Sequence, residues 1–385
     1  MDQIEELLTR GVANIIPGKA ELEKVLHSGK KLNVYCGFDV TAPHLHIGNG
    51  LPLRKLQQFV NLGHKVTFLI GDFTTLVGDT SDKNAERPII TEEDIDKNWQ
   101  NYAAQAGKIL DLSKVSVRRN SEWLDQLSIR DLIKLIHRFS LNDFNSRELI
   151  KLRLASGTSV NLAEVLYPVL QGYDSYFMDT DIQVGATDQT FNMQAGRALQ
   201  KQLRHKDSFV MSFEFLMGTD GRKMSKSWGN AIWLDDSPND IFGKVMSIKD
   251  DLVEQYFLLA TSLPTSNIQD LISSTSNPMI AKKQLAHQIV SDLCGKSAAV
   301  SAEKHFETTV QNRQLPSDIP EIIVTSTNII DVLVETHLAS SKSAARRLIE
   351  QGGVRVDGKQ LSTINYQLST PCTLSVGSTK FVKIS

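Results

Sequence analysis

Cysteine is scarce in this chain of 385 residues, with only Cys36, Cys294 and Cys372 present. They are odd in number, scattered and without a CxxC pair. This excludes a disulfide-stapled scaffold, argues against a thiolate zinc site and fits a reducing compartment. Long apolar runs are missing as well. No segment approaches the ~20 apolar residues that span a bilayer, and residues 1–12 carry Glu5 and Glu6 without a long apolar core. Neither a membrane partner nor a signal peptide is expected, and the expected location is cytoplasmic. A strong charge of one sign is also lacking: the net charge of −2 excludes a wholly basic nucleic-acid coat. Internal repeats and low-complexity segments are absent too.

What is present is enough apolar material, 41% of residues, for a large core and a smaller appended domain. Residues 34–38 read as a buried strand. A turn containing Pro43 then leads into a helix with Leu51, Leu56, Phe59 and Leu62 on one face, which Gly63 ends. Residues 66–70 form the next apolar run. Strand, helix and strand make a βαβ unit, so the fold class is α/β with a parallel sheet. Helical patterns follow over 92–110, 129–139 and 162–173, with a short strand at 115–118. A strand at 182–184 precedes a helix through 194–203, and 240–260 and 281–293 look helical. The expected organisation is an α/β domain over 1–235, a helical domain over 236–311, a linker over 312–328 marked by Pro316 and Pro320, and a small α+β domain over 329–385. Charge is segregated: residues 329–385 hold seven basic and four acidic residues, net +3, and the remainder holds 35 and 40, net −5.

Two segments carry chemistry. His44-Leu45-His46-Ile47-Gly48-Asn49 sits at a helix entry, where unpaired N–H groups and a partial positive charge favour an anion. His46 and Asn49, one turn apart, add side-chain donors, and Gly48 permits close approach to the backbone. The same hexapeptide also reads as an ordinary glycine-containing helix entry with a solvated histidine. Downstream, Gly221-Arg222-Lys223-Met224-Ser225-Lys226-Ser227 places Lys223 and Lys226 three apart on a polar, glycine-flanked loop that can close over a leaving pyrophosphate. A basic surface loop is the alternative. Together the two segments grip a triphosphate from both ends.

These residues resemble the HIGH and KMSKS signatures of the class I aminoacyl-tRNA synthetases. Lys223–Ser227 matches letter for letter, while Asn49 replaces the last histidine of the first signature. An amide still donates a hydrogen bond without carrying charge. Further segments resemble tyrosyl-tRNA synthetase across nearly the whole chain: Tyr35-Cys36-Gly37-Phe38-Asp39, Gly78-Asp79, the run from Tyr167 to Asp174, and Gln183-Val184-Gly185-Ala186-Thr187-Asp188-Gln189. Ala186, where glycine is frequent, and Val40, where proline is usual, depart from the pattern.

The resemblance implies a Rossmann-like catalytic domain that activates L-tyrosine with ATP to tyrosyl-adenylate and transfers it to tRNA(Tyr). Mg²⁺ would accompany the nucleotide, no metal would be bound by the protein itself, and the chain would form a homodimer. It implies that Tyr35 and Asp174 hydrogen-bond the substrate phenol and that Asp79, Tyr167 and Gln171 hold its ammonium group. It places Thr41, His46, Lys83, Arg87, Lys223 and Lys226 at the pyrophosphate, and Cys36, Asn49 and Asp188 at the ribose, with Gly48, Asp39 and Gln189 in the same pocket. A phenol both donates and accepts, so a carboxylate and a tyrosine hydroxyl satisfy it, whereas phenylalanine leaves both unpaired; this family is itself the standard example of that rule. Ser341–Ile349 and Gly352–Lys359 resemble a small RNA-binding module, in which Lys342, Arg346 and Arg347 share one helical side, ready for phosphates. Tryptophanyl-tRNA synthetase, a nucleotidyltransferase of the same superfamily and a non-catalytic RNA-binding protein are the competing readings. The pair Tyr35 and Asp174 favours tyrosine over an indole, which only donates.

Overall fold

The computed structural model of the chain describes residues 2–79, 90–145, 147–226, 228–274, 277–311, 319–377 and 380–385. Two compact units emerge, residues 1–236 with 248–285, and 237–247 with 286–385.

The first unit is built on six strands: β1 (Val12–Ile16), β2 (Asn33–Asp39), β3 (Lys65–Gly71), β4 (Ser116–Arg119), β5 (Ile182–Ala186) and β6 (Phe209–Phe213), in the spatial order β1-β6-β5-β2-β3-β4. All neighbours are parallel except β1, which pairs antiparallel with β6. The apolar side chains of β2 and β3 are buried, as crossover helices require, while Gly37 of β2 is exposed. Helix Gly50–Asn61 joins β2 to β3 and buries Leu51, Leu53, Leu56 and Phe59. Helix Leu162–Phe177 precedes β5 and helix Thr190–Arg204 follows it.

The connectivity reverses between β2 and β5, and the strand ends there frame the crevice in which ligands of such sheets bind. The register shows how it opens. β2 and β3 stay paired from Asn33 to Asp39, but β2 meets β5 at Val34 and Tyr35. Beyond Tyr35 the two strands diverge.

The helical pattern over 240–260 resolves into two helices, Pro238–Met246 and Val253–Ala260, which belong to different units. Ser237 caps the first with its side chain on the Asp240 N–H, and the polar run through Lys249, Asp250 and Asp251 forms a short 3₁₀ turn between them.

In the second unit, Phe242 of helix Pro238–Met246 meets Phe306 of helix Lys296–Phe306 with ring centroids 5.4 Å apart. The C-terminal portion is a small sheet of β7 (Glu321–Ile322), β8 (Val354–Val356), β9 (Lys359–Gln360), β10 (Cys372–Val376) and β11 (Lys380–Ile384), ordered β7-β11-β10-β8-β9. β7, inside the stretch expected as linker, pairs in parallel with β11; residues 312–318 of that stretch lie outside the described residues. Helices Ile329–Glu335 and Lys342–Glu350 bury Ile329, Leu333, Ala345 and Ile349 in one core with Leu374 and Val382. Among the described residues no helix is long and apolar enough to cross a membrane.

Candidate active site

A cleft of about 520 Å³ opens at the C-terminal ends of β2 and β5. Every candidate residue of the first unit that is described lines it, including Tyr35, Asp174, His46, Lys223 and Lys226. Lys83 and Arg87 lie outside the described residues.

At the deep end, Asp174 of helix Leu162–Phe177 is 2% exposed. Trp123 Nε1–H donates to its Oδ1 at 2.7 Å, and Asn120 Nδ2–H donates to its Oδ2 at 3.1 Å. Burial outweighs both donors and pushes its pKa up to about 8. Tyr35, on β2, donates its hydroxyl to Gln183 Oε1 at 3.2 Å. Burial, helped by the nearby Asp174 charge, drives the Tyr35 pKa up, so the phenol keeps its proton. Gln183 is anchored through Nε2–H to the Met193 carbonyl at 2.9 Å. Gly196 makes this possible, because a Cβ there would lie 2.5 Å from Gln183 Oε1.

Higher in the cleft, Tyr167 donates its hydroxyl to Asp39 Oδ2 at 3.0 Å, and Thr74 donates to Asp39 Oδ1 at 2.9 Å. Gln189 Nε2–H donates to Asp79 Oδ2 at 2.6 Å, and Asn192 donates to Gln189 Oε1 at 3.1 Å. Gln171 shares a helix face with Tyr167, and its buried Oε1 has no hydrogen-bond partner among the described residues. Two carboxylates, a phenol and an open amide oxygen make this region a cradle for a cation.

The other end of the cleft is assembled from two loops. Ile47–Asn49 forms a 3₁₀ turn ahead of helix Gly50–Asn61, and Asn49 Oδ1 accepts from the His46 N–H at 3.1 Å. Burial pushes the pKa of His46 down to about 3, reinforced by the charges of Lys226 and Lys223. The imidazole is therefore neutral, and its Nδ1 has no hydrogen-bond partner among the described residues. A Cβ at Gly48 would sit 3.0 Å from that nitrogen, so glycine clears space for the ring as well as for a ligand. Helix Glu92–Ala106 braces the loop: Asn98 Nδ2–H donates to the Val40 carbonyl, and Gln105 donates to the Pro43 carbonyl while accepting from the Leu45 N–H.

On the second loop, Lys223 Nζ pairs with Asp188 Oδ2 at 3.1 Å and lies 3.8 Å from the Phe215 ring centroid. Lys226 Nζ donates to the Tyr102 hydroxyl at 2.8 Å. Asn230, buried at 2% exposure, shapes the loop from beneath. Its Nδ2–H group donates to Asp220 Oδ1 at 2.8 Å and the Lys223 carbonyl at 3.2 Å, and its Oδ1 accepts from the Ser225 N–H at 3.0 Å. Ser227 lies outside the described residues. Among the described residues no group of three or more His, Cys, Asp or Glu side chains converges on a metal position.

In the second unit, helix Lys342–Glu350 turns Ala345 and Ile349 inward and leaves Lys342, Arg346 and Arg347 exposed. Lys342 differs from the two arginines in pairing with Asp331 at 2.7 Å.

Asn120, Trp123, Tyr102, Gln105 and Asn230 do not emerge from the sequence. Each is a single residue outside a recognisable run, and each acts by holding a signature residue in place.

The chain matches two family models end to end: tRNA synthetases class I (W and Y) over residues 27–311, and the tyrosine–tRNA ligase SYY-like C-terminal domain over residues 311–376. It is 38% identical to the tyrosine–tRNA ligase of Dehalococcoides mccartyi over 390 residues, covering 99% of this chain and 98% of that one. Identity to the Thermotoga maritima tyrosine–tRNA ligase is 38% over 388 residues, covering 99% and 96%. Among solved structures, a C-terminally truncated Aspergillus nidulans mitochondrial tyrosyl-tRNA synthetase superposes with a TM-score of 0.66 at 22% identity, over 81% of this chain and 93% of that one. The Archaeoglobus fulgidus tyrosyl-tRNA synthetase complexed with L-tyrosine gives 0.61 at 19%, over 78% and 100%. These two support the fold, while the matches along the full length settle the lineage: the chain belongs to the tyrosine–tRNA ligase family of class I aminoacyl-tRNA synthetases.

Proposed function

We propose that the cleft joins L-tyrosine to ATP, releasing pyrophosphate, and passes the tyrosyl group to the 3′-terminal ribose of tRNA(Tyr). The observation that carries this reading is one continuous cleft with Tyr35 and Asp174 at one end and Lys223, Lys226 and His46 at the other.

Asp174 is held by two N–H donors and keeps acceptor capacity for a phenolic O–H. Tyr35 can turn its hydroxyl from the long contact with Gln183 to donate to the phenol oxygen. The ammonium group suits Gln171 Oε1, Asp79 and Tyr167. That orientation leaves the substrate carboxylate facing the α-phosphorus, which it attacks in line, with no protein nucleophile involved. Catalysis then comes from positioning and from charge stabilisation as pyrophosphate departs. Lys223 exchanges Asp188 for phosphate oxygens, Lys226 meets them while keeping the Tyr102 hydroxyl, and neutral His46 acts as a hydrogen-bond donor. Thr41, Lys83 and Arg87 are assigned to the same end, and Cys36, Asp39, Gly48, Asn49 and Asp188 to the nucleoside. The donor set at this end suits an anion, so Mg²⁺ is assigned to the nucleotide as part of the substrate.

Arg346 and Arg347 are assigned to the RNA backbone. Homodimer formation is carried over from the family resemblance; Ile129, Ile133, Leu141 and Leu162, which are 78%, 50%, 62% and 80% exposed, are the apolar side chains it could cover. A cytoplasmic location is supported by the scattered, unpaired cysteine pattern, which fits a reducing compartment. The deciding experiment is ATP–pyrophosphate exchange with each amino acid in turn. Tyrosine alone is expected to support exchange; exchange driven by tryptophan, or by none, would overturn the reading.

A further inference from the structure

Helix Glu92–Ala106 touches both loops of the phosphate-facing end. Asn98, Tyr102 and Gln105 are spaced i, i+4 and i+7, so they share one face. They are 8%, 1% and 5% exposed. Asn98 and Gln105 hold the backbone from Val40 to Leu45, each through bonds of 2.7–2.9 Å. Tyr102 reaches the other loop: its hydroxyl accepts from Lys226 Nζ at 2.8 Å, and the same ammonium lies 5.4 Å from its ring centroid. Lys226 is thereby held inside the cleft, on the side of the loop that carries His46.

We propose that Tyr102 is a positioning residue for nucleotide use: it holds the ammonium group of Lys226 in the cleft before ATP arrives, so that the lysine meets the phosphates without a search. The inference rests on the reading of this end as the triphosphate site and extends it to a residue outside both signatures. A long, flexible lysine loses considerable rotamer freedom when it engages a ligand. A partner that has already restricted it removes part of that cost from the binding step. An ammonium group carries three N–H donors, so Lys226 can keep the Tyr102 hydroxyl while it also meets phosphate oxygens, and the contact is retained on binding rather than given up.

The test is a double-mutant cycle on the full-length protein, with exchange rates normalised to the concentration of tyrosine-binding sites. Tyr102→Phe keeps the ring and removes the hydroxyl. It is expected to raise the KM for ATP about tenfold or more, the size of one lost hydrogen bond to a charged group, while the KM for tyrosine stays within about twofold. In a Lys226→Ala background the same substitution is expected to add less than about twofold, because its partner is already gone. A silent Tyr102→Phe, an equal rise in both KM values, or an undiminished effect in the Lys226→Ala background would each overturn the proposal. Absence of tyrosine-dependent exchange in the unmodified protein would instead defeat the underlying reading, so the two failures are distinguishable.

Discussion

Tyr35→Phe removes one oxygen from the deep end of the cleft. In the unliganded protein that oxygen makes one long contact, 3.2 Å to Gln183 Oε1, while Gln183 retains its bond to the Met193 carbonyl. The loss to folding is therefore that of a single neutral hydrogen bond, roughly 0.5–1.5 kcal/mol. If the hydroxyl turns to donate to the substrate phenol, its removal leaves that oxygen buried without a donor, about 1–3 kcal/mol, from which the Gln183 bond lost in the free protein subtracts, so kcat/KM for tyrosine falls by about 3- to 10-fold. Phenylalanine makes no such bond, so its own rate is unchanged and discrimination falls by the same factor. Asp174→Ala should behave differently. Trp123 Nε1–H and one Asn120 N–H lose a buried acceptor, each costing the fold about 1–3 kcal/mol, so a lower melting temperature is expected, and the substrate phenol loses its acceptor as well, so activity toward tyrosine falls further than in Tyr35→Phe. Pyrophosphate exchange with tyrosine and with phenylalanine measures both. A Tyr35→Phe protein that loses equal activity toward the two amino acids would refute a substrate-facing hydroxyl, since a purely structural role does not distinguish them.

Asn230→Ala removes three hydrogen bonds beneath the lysine loop, about 2–3 kcal/mol of loop order, so exchange should slow by up to about 100-fold with tyrosine affinity retained; undiminished exchange would show that the loop orders without it. Asp174 keeps its proton to about pH 8 in the folded chain and releases it near pH 4, roughly, when unfolded. Between those values the folded state binds more protons, so ligand-free stability falls as pH rises, and Asp174→Asn should remove that slope; parallel urea-melt profiles for the two proteins would contradict the raised pKa. With His46 neutral down to about pH 3, the exchange rate should show no inflection near about pH 6.5, and one that disappears in His46→Gln would count against the buried neutral ring. Replacing Arg346 and Arg347 together by alanine should spare exchange but weaken RNA binding and flatten its salt dependence by roughly 1.4–1.8 in log–log slope. An unchanged slope would remove these side chains from the RNA interface.

The sheet was legible where a strand is buried on both faces. Residues 34–38 and 66–70 are continuous apolar runs with an amphipathic helix between them and Gly63 as punctuation, and they became β2, helix Gly50–Asn61 and β3. β1 was not, because an edge strand need not be apolar throughout. Ala13 and Asn14 are exposed, a bulge lies between Val12 and Asn14, and pairing with β6 comes from 198 residues further along the chain. The two loops carrying His46 and the lysines were legible for another reason: their residues come in short contiguous strings. Asp174 and Tyr35 could be named as a pair, but not the state of the carboxyl, since that depends on burial and on donors contributed by a different segment.

Asn120 illustrates what a string of letters conceals. Asparagine directly ahead of Ser121, at the start of helix Ser121–Leu124, has the position of a helix cap, for which it is among the preferred residues. Yet its backbone is already helical and its side chain caps nothing. The side chain is fully buried, and a buried amide that forgoes the nearest N–H groups must satisfy itself elsewhere. It does so with the Phe73 N–H at 3.0 Å, Thr74 Oγ1 at 3.0 Å and Asp174 Oδ2 at 3.1 Å. One residue at the end of β4 thus joins the end of β3 to the carboxyl at the floor of the cleft. The same Thr74 hydroxyl donates to Asp39, so the network runs on to Tyr167. The two ends of an amino acid in this cleft would therefore be gripped by side chains that share one buried hydrogen-bonded web, and a substitution at Asn120 should disturb both grips together.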